Sequence, residues 1–133
     1  MNKFTTTGLV ATTPRQVVTE TGLEIISFRL ACSFEREGKQ SGETHQTTNW
    51  FTVSAYKNLA KNAGLSINKG DRVIVSGDLI VRDWDNGERS GTAVEIDADV
   101  IAHDLNYGVT QYQRTPITTK PAHSCNCGNC EVA

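Results

Sequence analysis

Apolar and polar residues alternate along most of the chain up to Asp104, and an alternation of period two is typical of β-strands. Five segments carry this alternation, and they predict strands over 4–12, 23–34, 48–56, 72–84 and 92–102. A short helix is predicted over 58–63, with Gly64 as its stop. The polar stretch 35–48 predicts a long, mobile hairpin loop.

The order of these elements predicts the architecture. Five strands with one short helix between the third and the fourth are typical of an OB-fold, so we expect an all-β, five-stranded Greek-key barrel over residues 1–104. Past Asp104 the alternation stops, and the segment 105–133 contains Pro116, Pro121 and many Thr, Gln and Asn residues. This composition predicts a flexible, disordered C-terminal tail.

The third predicted strand has an apolar face and a polar face that carries two large aromatic residues. The expected core face consists of Phe51, Val53 and Ala55. The opposite face consists of Trp50, Thr52, Ser54 and Tyr56. In the fourth predicted strand, Val73, Val75, Gly77, Leu79 and Val81 form the expected core face, and Arg82 and Trp84 end the other. Aromatic side chains beside cations on a polar sheet face can stack on bases and neutralise phosphates, although burial by a second subunit or by the helix is the alternative.

The fifth predicted strand has an acidic outer face. Its expected inward residues are Val94, Ile96, Ala98 and Val100. Its expected outward residues are Glu95, Asp97 and Asp99. These carboxylates would repel phosphate, so a nucleic-acid path is expected to avoid them. Their spacing also resembles the metal-binding carboxylates of a nuclease, but a solvated edge is the favoured interpretation.

Composition limits the kind of nucleic-acid site that is expected. The chain has 133 residues, 38% of them hydrophobic and 21% charged, which suits one globular domain. The formal net charge of −2 argues against binding by bulk positive charge, so a site must depend on local charge and stacking. No stretch reaches the roughly 18 apolar residues that span a bilayer, and no secretory signal opens the chain. We therefore expect a soluble, cytoplasmic, nucleoid-associated protein.

Four blocks of the sequence follow one another in a characteristic order and spacing. They are Thr48-Asn49-Trp50-Phe51-Thr52-Val53, Ser54-Ala55-Tyr56-Lys57-Asn58-Leu59-Ala60, Lys69-Gly70-Asp71-Arg72-Val73-Ile74-Val75-Ser76-Gly77-Asp78-Leu79 and Arg82-Asp83-Trp84. Together they resemble the bacterial single-stranded DNA-binding protein family, and the match runs from about residue 3 to residue 104. Because the blocks occur in the family's order, we judge the resemblance specific.

The resemblance implies a homotetramer of OB-folds that binds and protects single-stranded DNA, without sequence preference, in replication, recombination and repair. It implies neither catalysis nor a cofactor. Stacking roles follow for Trp50, Tyr56 and Trp84, and Phe34 offers an aromatic near the end of the second predicted strand. Phosphate contacts are expected from Lys69, Arg72 and Arg82. Phe51 falls at a position that resembles a subunit contact.

The end of the chain departs from the family. It lacks the acidic tip that recruits other genome-maintenance proteins, so recruitment by that route is not expected. His123, Cys125, Cys127 and Cys130 have ligands and spacing that suit a tetrahedral zinc site. The three tail cysteines could instead form a redox switch or an intermolecular disulfide. A reduced tail without metal is the favoured interpretation, and Cys32 is expected to be a buried strand residue.

Two other functions remain open at this point. The missing tip and modest basic count also suit an accessory OB-fold that serves as a protein-interaction module of a replication complex, without strong DNA binding. An RNA-binding OB-fold is a further alternative. Proteins distinguish RNA from DNA by contacts to the 2′-hydroxyl, and the residues alone do not show such contacts. The sequence has no phosphate-cradling glycine loop and no nucleophile with an evident base, so no enzyme is expected.

Overall fold

A computed structural model of the chain describes residues 2–37, 42 and 44–116, and these residues form six strands and one helix. In chain order they are β1 Lys3–Val10, β2 Arg15–Val18, β3 Glu24–Glu37, β4 Thr44–Tyr56, α1 Lys57–Ser66, β5 Arg72–Asp85 and β6 Ser90–His103. The predicted all-β class with one short helix is confirmed. The structure adds one strand that was not predicted, β2, to the five that were.

Five of the strands close into a barrel. The sheet order is β1-β5-β6-β4-β3-β2, and β1 also pairs with β3 through Leu9↔Ala31 and Val10↔Leu30. Only β4 and β6 pair in parallel among the strands of the described chain. The ring β1-β5-β6-β4-β3 is the predicted OB barrel, and β2 lies outside it on the far edge of β3.

The strand β2 was missed because its sequence gives no alternating signal. It has only four residues, all exposed, and Val17 and Val18 are adjacent rather than alternating. Pro14 and the Thr21-Gly22 pair bracket it and suggest turns. Its strand conformation comes from pairing with β3. This pairing is a tertiary contact, so the local sequence of β2 does not predict it.

The helix α1 is longer than predicted because Gly64 does not end it. A Cβ on Gly64 would lie 2.7 Å from Oε1 of Gln16, so the missing side chain allows β2 to approach the helix closely. The helix instead ends at Ser66, and the Ile67 amide donates to the Ala63 carbonyl. No helix in the described part of the chain is long and apolar enough to cross a membrane.

The predicted loop 35–48 is mostly a two-stranded ribbon. β3 and β4 remain paired through Glu35↔Gln46 and out to Glu37↔Thr44. The loop prediction failed because the residues of these two strand segments are all polar, so their sequence shows no apolar alternation. The ribbon is recognised only from the backbone pairing between the two strands.

The core confirms the faces that were predicted for β4. Its fully buried side chains include Ile26, Leu30, Ile96, Val10, Val53, Val73 and Val75. Phe51 is 8% exposed and packs on Phe4, with ring centroids 5.4 Å apart. Cys32 is also buried as predicted, and burial raises the pKa of its thiol despite an opposing hydrogen bond from Thr6.

Two predicted core positions are wrong. Val100 is exposed because a β-bulge interrupts the β5–β6 ladder between Ser76↔Val100 and Gly77↔Ala98. The bulge reverses the alternation of β6, so Ile101 packs against the core in place of Val100. Val81 is exposed because that part of β5 extends beyond the barrel.

Residues 105–116 follow β6 without helix or strand. They contact the barrel through the Asn62 amide, which donates to the Thr115 hydroxyl at 3.0 Å, and through the Arg72 guanidinium, which lies 4.7 Å from the Tyr107 ring centroid. The remainder of the predicted flexible tail lies outside the described residues. The same is true of the candidate zinc ligands His123, Cys125, Cys127 and Cys130.

Candidate nucleic-acid interface

Pairing registers bring the two tryptophans to one face of the sheet. Trp50 and Thr52 alternate on the same side of β4, and Thr52 lies beside Glu95 of β6. Glu95 in turn lies opposite Ile80 of β5, which shares its side with Trp84. Residues opposite one another in a ladder point to the same side of a sheet. Trp50 and Trp84 therefore lie on the outer, polar face of the barrel, which we call the platform face.

Trp50 is half covered by a cation from the neighbouring strand. Its side chain is 50% exposed, and the guanidinium carbon of Arg29 lies 5.5 Å from the ring centroid. Arg29 belongs to β3, opposite Thr52, so it is the diagonal neighbour of Trp50 across the ladder. This cation–π contact covers one side of the indole.

Trp84 rests on a glycine. It lies opposite Gly91 in the β5–β6 ladder, and its side chain is 45% exposed. A Cβ on Gly91 would lie 2.8 Å from Cζ2 and 3.0 Å from Cε2 of Trp84. The indole is therefore in contact with bare backbone, and only glycine leaves it enough room.

Replacing Gly91 with Ala is expected to move Trp84 without unfolding the barrel, because an indole at the end of a side chain can turn away from a methyl group. In a Trp50→Phe background, acrylamide should quench Trp84 emission more strongly in Gly91→Ala than in the parent. Ser90→Ala, which changes the adjacent exposed position, is the control. Equal quenching in the parent and in Gly91→Ala would show that the glycine does not hold the ring.

Tyr56 ends the platform face at the junction with α1. Its side chain is 41% exposed, and it is the last residue of β4. Lys57 follows with a φ of 61°, a left-handed conformation that is uncommon for a residue with a side chain. This turn starts the helix immediately after Tyr56 and leaves its ring at the edge of the sheet.

The predicted cations do not all lie near the tryptophans. Arg82 shares the platform face, where its Nε lies 3.4 Å from Oε1 of Glu95. Arg72 begins β5 and Trp84 stands near its end, so about 40 Å of strand separates them at roughly 3.3 Å per residue. Lys69 is exposed in the turn before Arg72. Lys69 and Arg72 therefore lie at the opposite end of the barrel from Trp84.

Two predicted aromatic residues lie apart from the platform face. Phe34 is 44% exposed, but it lies opposite Thr47 and shares its side of β3 with the core residue Leu30. It therefore faces away from Trp50. Phe51 has little free surface in the protomer because Phe4 and the core cover it. A stacking role for Phe34 and a subunit contact at Phe51 stay predictions.

The acidic residues of β6 are partly compensated. Glu95 pairs with Arg82, and Asp99 accepts a hydrogen bond from the Lys3 ammonium, which also lies 3.4 Å from Asp78. The bond to Asp99 is the main cause of the raised pKa of Lys3. Within the described residues, no group of three His, Cys, Asp or Glu side chains could hold a metal ion.

The site residues predicted from the sequence include neither Arg29 nor Gly91. Arg29 stands on the polar side of an alternating strand, which signals exposure but not which residue it contacts. Gly91 inside a strand is a signal of close approach by another group. In both cases the partner follows from the register between strands.

Comparison with known proteins agrees with the barrel. A model of the single-strand binding protein family matches residues 1–104. The chain belongs to this family. Single-strand binding proteins are DNA-binding proteins rather than enzymes, and members of the family need no cofactor.

Relatives and solved structures extend the match. "Single-stranded DNA-binding protein 2" of Tropheryma whipplei (strain Twist) is 44% identical over 119 residues, which cover 86% of this chain and 76% of the relative. The crystal structure of a small single-stranded DNA-binding protein from Streptomyces coelicolor superposes with a TM-score of 0.69 at 37% identity, over 80% of this chain and 96% of that one. The second single-stranded DNA-binding protein of Mycobacterium smegmatis gives 0.68 at 25% identity, over 85% and 98%.

Proposed function

We propose that this protein binds single-stranded DNA without sequence preference by stacking bases on Trp50, Tyr56 and Trp84 and by neutralising phosphates. The observation that carries the proposal is the pair of half-exposed indoles on one polar face. Every base has a π-face, so stacking tolerates any sequence and contributes about 1–3 kcal/mol per base. Of the predicted phosphate contacts on β5, Arg82 is nearer than Arg72 to Trp84 along the strand.

Lys69 and Arg72 belong to the same proposal as contacts farther along the strand of DNA. Because they lie at the other end of the barrel from Trp84, one strand must follow the protein surface to reach both regions. Phe34, which is 44% exposed on β3, is a further stacking candidate on such a path. A bound single strand that follows this path is protected during replication, recombination and repair.

The protein is further proposed to act as a homotetramer. Among the described residues, β3 pairs with β1 only at Leu9 and Val10, so the segment 3–8 has backbone groups without a strand partner on that side. An unpaired strand edge is a common place for a second chain to add. Phe51 is the predicted contact residue, and 8% of its surface is exposed in the protomer.

The proposal is tested by fluorescence anisotropy of labelled oligonucleotides together with sedimentation. We expect similar affinities for dT, dA and dC oligomers, much weaker binding of random duplex, and a fall in affinity with salt because bound counterions are released. The free protein should sediment with the mass of four chains. Binding of duplex as tightly as single strands would contradict the proposed mechanism.

The alternative is an accessory OB-fold module that binds protein rather than DNA. It is favoured by Glu95 and Asp97, which share the platform face and repel phosphate. The same titration separates the two functions. Stoichiometric binding of oligo-dT excludes the module without strong DNA binding, and the absence of binding favours it.

A further inference from the structure

Arg29 combines two properties that Arg82 and Lys3 lack. Its guanidinium lies over the Trp50 ring, 5.5 Å from the centroid, so it contacts the stacking surface directly. It also forms no ion pair with any carboxylate among the described residues. A cation without a partner carboxylate has its full charge available for a ligand.

Two other cations near this face, Arg82 and Lys3, are already engaged in ion pairs. Arg82 pairs with Glu95, and Lys3 pairs with Asp78 and Asp99. An engaged cation must give up its carboxylate before it can neutralise a phosphate, which weakens its contribution. Arg29 needs no such exchange.

We propose that Arg29 is a DNA-contacting residue that supports the Trp50 platform in two ways. Its guanidinium covers one side of the indole, so that a base stacks on the other side. Its charge neutralises a phosphate of the nucleotide that stacks there. This inference rests on the proposed function. It adds one DNA-contacting residue and says on which side of the Trp50 ring the base stacks.

The chemistry of arginine suits both parts of this role. A guanidinium is planar, so it can lie over an aromatic ring while its edge still offers N–H groups to phosphate oxygens. Lysine has the same charge but a compact ammonium, which does not cover a ring in this way. Substitution of Arg29 by Lys therefore separates the charge from the ring contact.

The test compares Arg29→Gln, Arg29→Lys and the charge-matched control Lys61→Gln, which lies on the exposed side of α1. Oligo-dT affinity is measured over a series of salt concentrations for each variant and for the parent. One lost phosphate contact should reduce the slope of log K against log salt by about 0.7 for a single strand. We expect this reduction in Arg29→Gln, with roughly fivefold weaker binding at low salt.

Arg29→Lys should keep the parent slope because it keeps the charge. In a Trp84→Phe background, however, both Arg29 variants should make Trp50 more accessible to acrylamide than it is in the parent. Lys61→Gln should keep both the slope and the accessibility. Thermal unfolding of each variant shows whether the barrel is intact, and the exposed position of Arg29 predicts that it is.

A double-mutant cycle with Trp50→Ala completes the test. Residues in contact show coupled losses, so Arg29→Gln should cost less affinity in the Trp50→Ala background than in the parent. Additive losses, or a slope in Arg29→Gln equal to that of the parent, would overturn the role of Arg29. In those cases the parent still binds oligo-dT. If the parent protein itself failed to bind oligo-dT, that result would instead contradict the proposed function.

Discussion

Trp50→Ala and Trp84→Ala should each lose about 1–3 kcal/mol of binding free energy for oligo-dT, because each removes a surface on which one base stacks. The two rings are half exposed, which is enough for one base on the open side of each. Replacement by Phe should restore part of the loss, since a phenyl ring retains a smaller stacking surface. The measurement is anisotropy of a labelled oligo-dT at constant salt.

Tyr112→Ala is the matched control, because Tyr112 is a highly exposed aromatic residue of the segment that follows β6. It should bind like the parent. Unchanged affinity in both tryptophan variants would mean that the DNA does not bind on the platform face. An equal loss in Tyr112→Ala would instead point to a general effect of exposed aromatic residues.

Gly77→Ala should destabilise the barrel by at least about 3 kcal/mol, since it forces a methyl group into backbone atoms of the neighbouring strand. The added Cβ would lie 2.7 Å from Cα of Ala98 and 2.8 Å from the carbonyl carbon of Asp97. Gly77 stands at the β-bulge of the β5–β6 ladder, and neither neighbour can move without breaking that ladder. Urea denaturation should show a lower midpoint.

Gly108→Ala provides the control for this prediction, because a Cβ at Gly108 has nothing within 4 Å and φ there is not in the left-handed region. It should leave the midpoint almost unchanged. A Gly77→Ala protein with the stability of the parent would show that β5 and β6 can separate locally at little cost, and that the bulge is adaptable.

Much of the platform face could be predicted from local alternation. The period-two pattern of β4 gave Trp50 and Tyr56 an exposed side and Phe51 and Val53 a buried one, and the structure agrees. The prediction succeeded because one face of β4 packs on the core. A shift of the strand register by one residue would turn its apolar side chains to solvent, so the alternation in the sequence determines which side is buried.

Features set by contacts between distant strands could not be predicted. The contact between Arg29 and Trp50 depends on the register of β3 against β4. The exposure of Val100 depends on an extra residue in β6, which no local signal marks. The ribbon formed by 35–37 and 44–48 is polar throughout, so its strands give no pattern that distinguishes them from a loop.

The central claim, that bases stack on the two tryptophans, is tested most directly by titrating the protein with oligo-dT while recording tryptophan fluorescence at two salt concentrations, with random duplex DNA as the comparison. Stacking on Trp50 and Trp84 predicts strong quenching by the single strand, little by the duplex, and a weaker affinity at the higher salt concentration. Absence of quenching by the single strand, together with an unchanged sedimentation coefficient, would contradict the account.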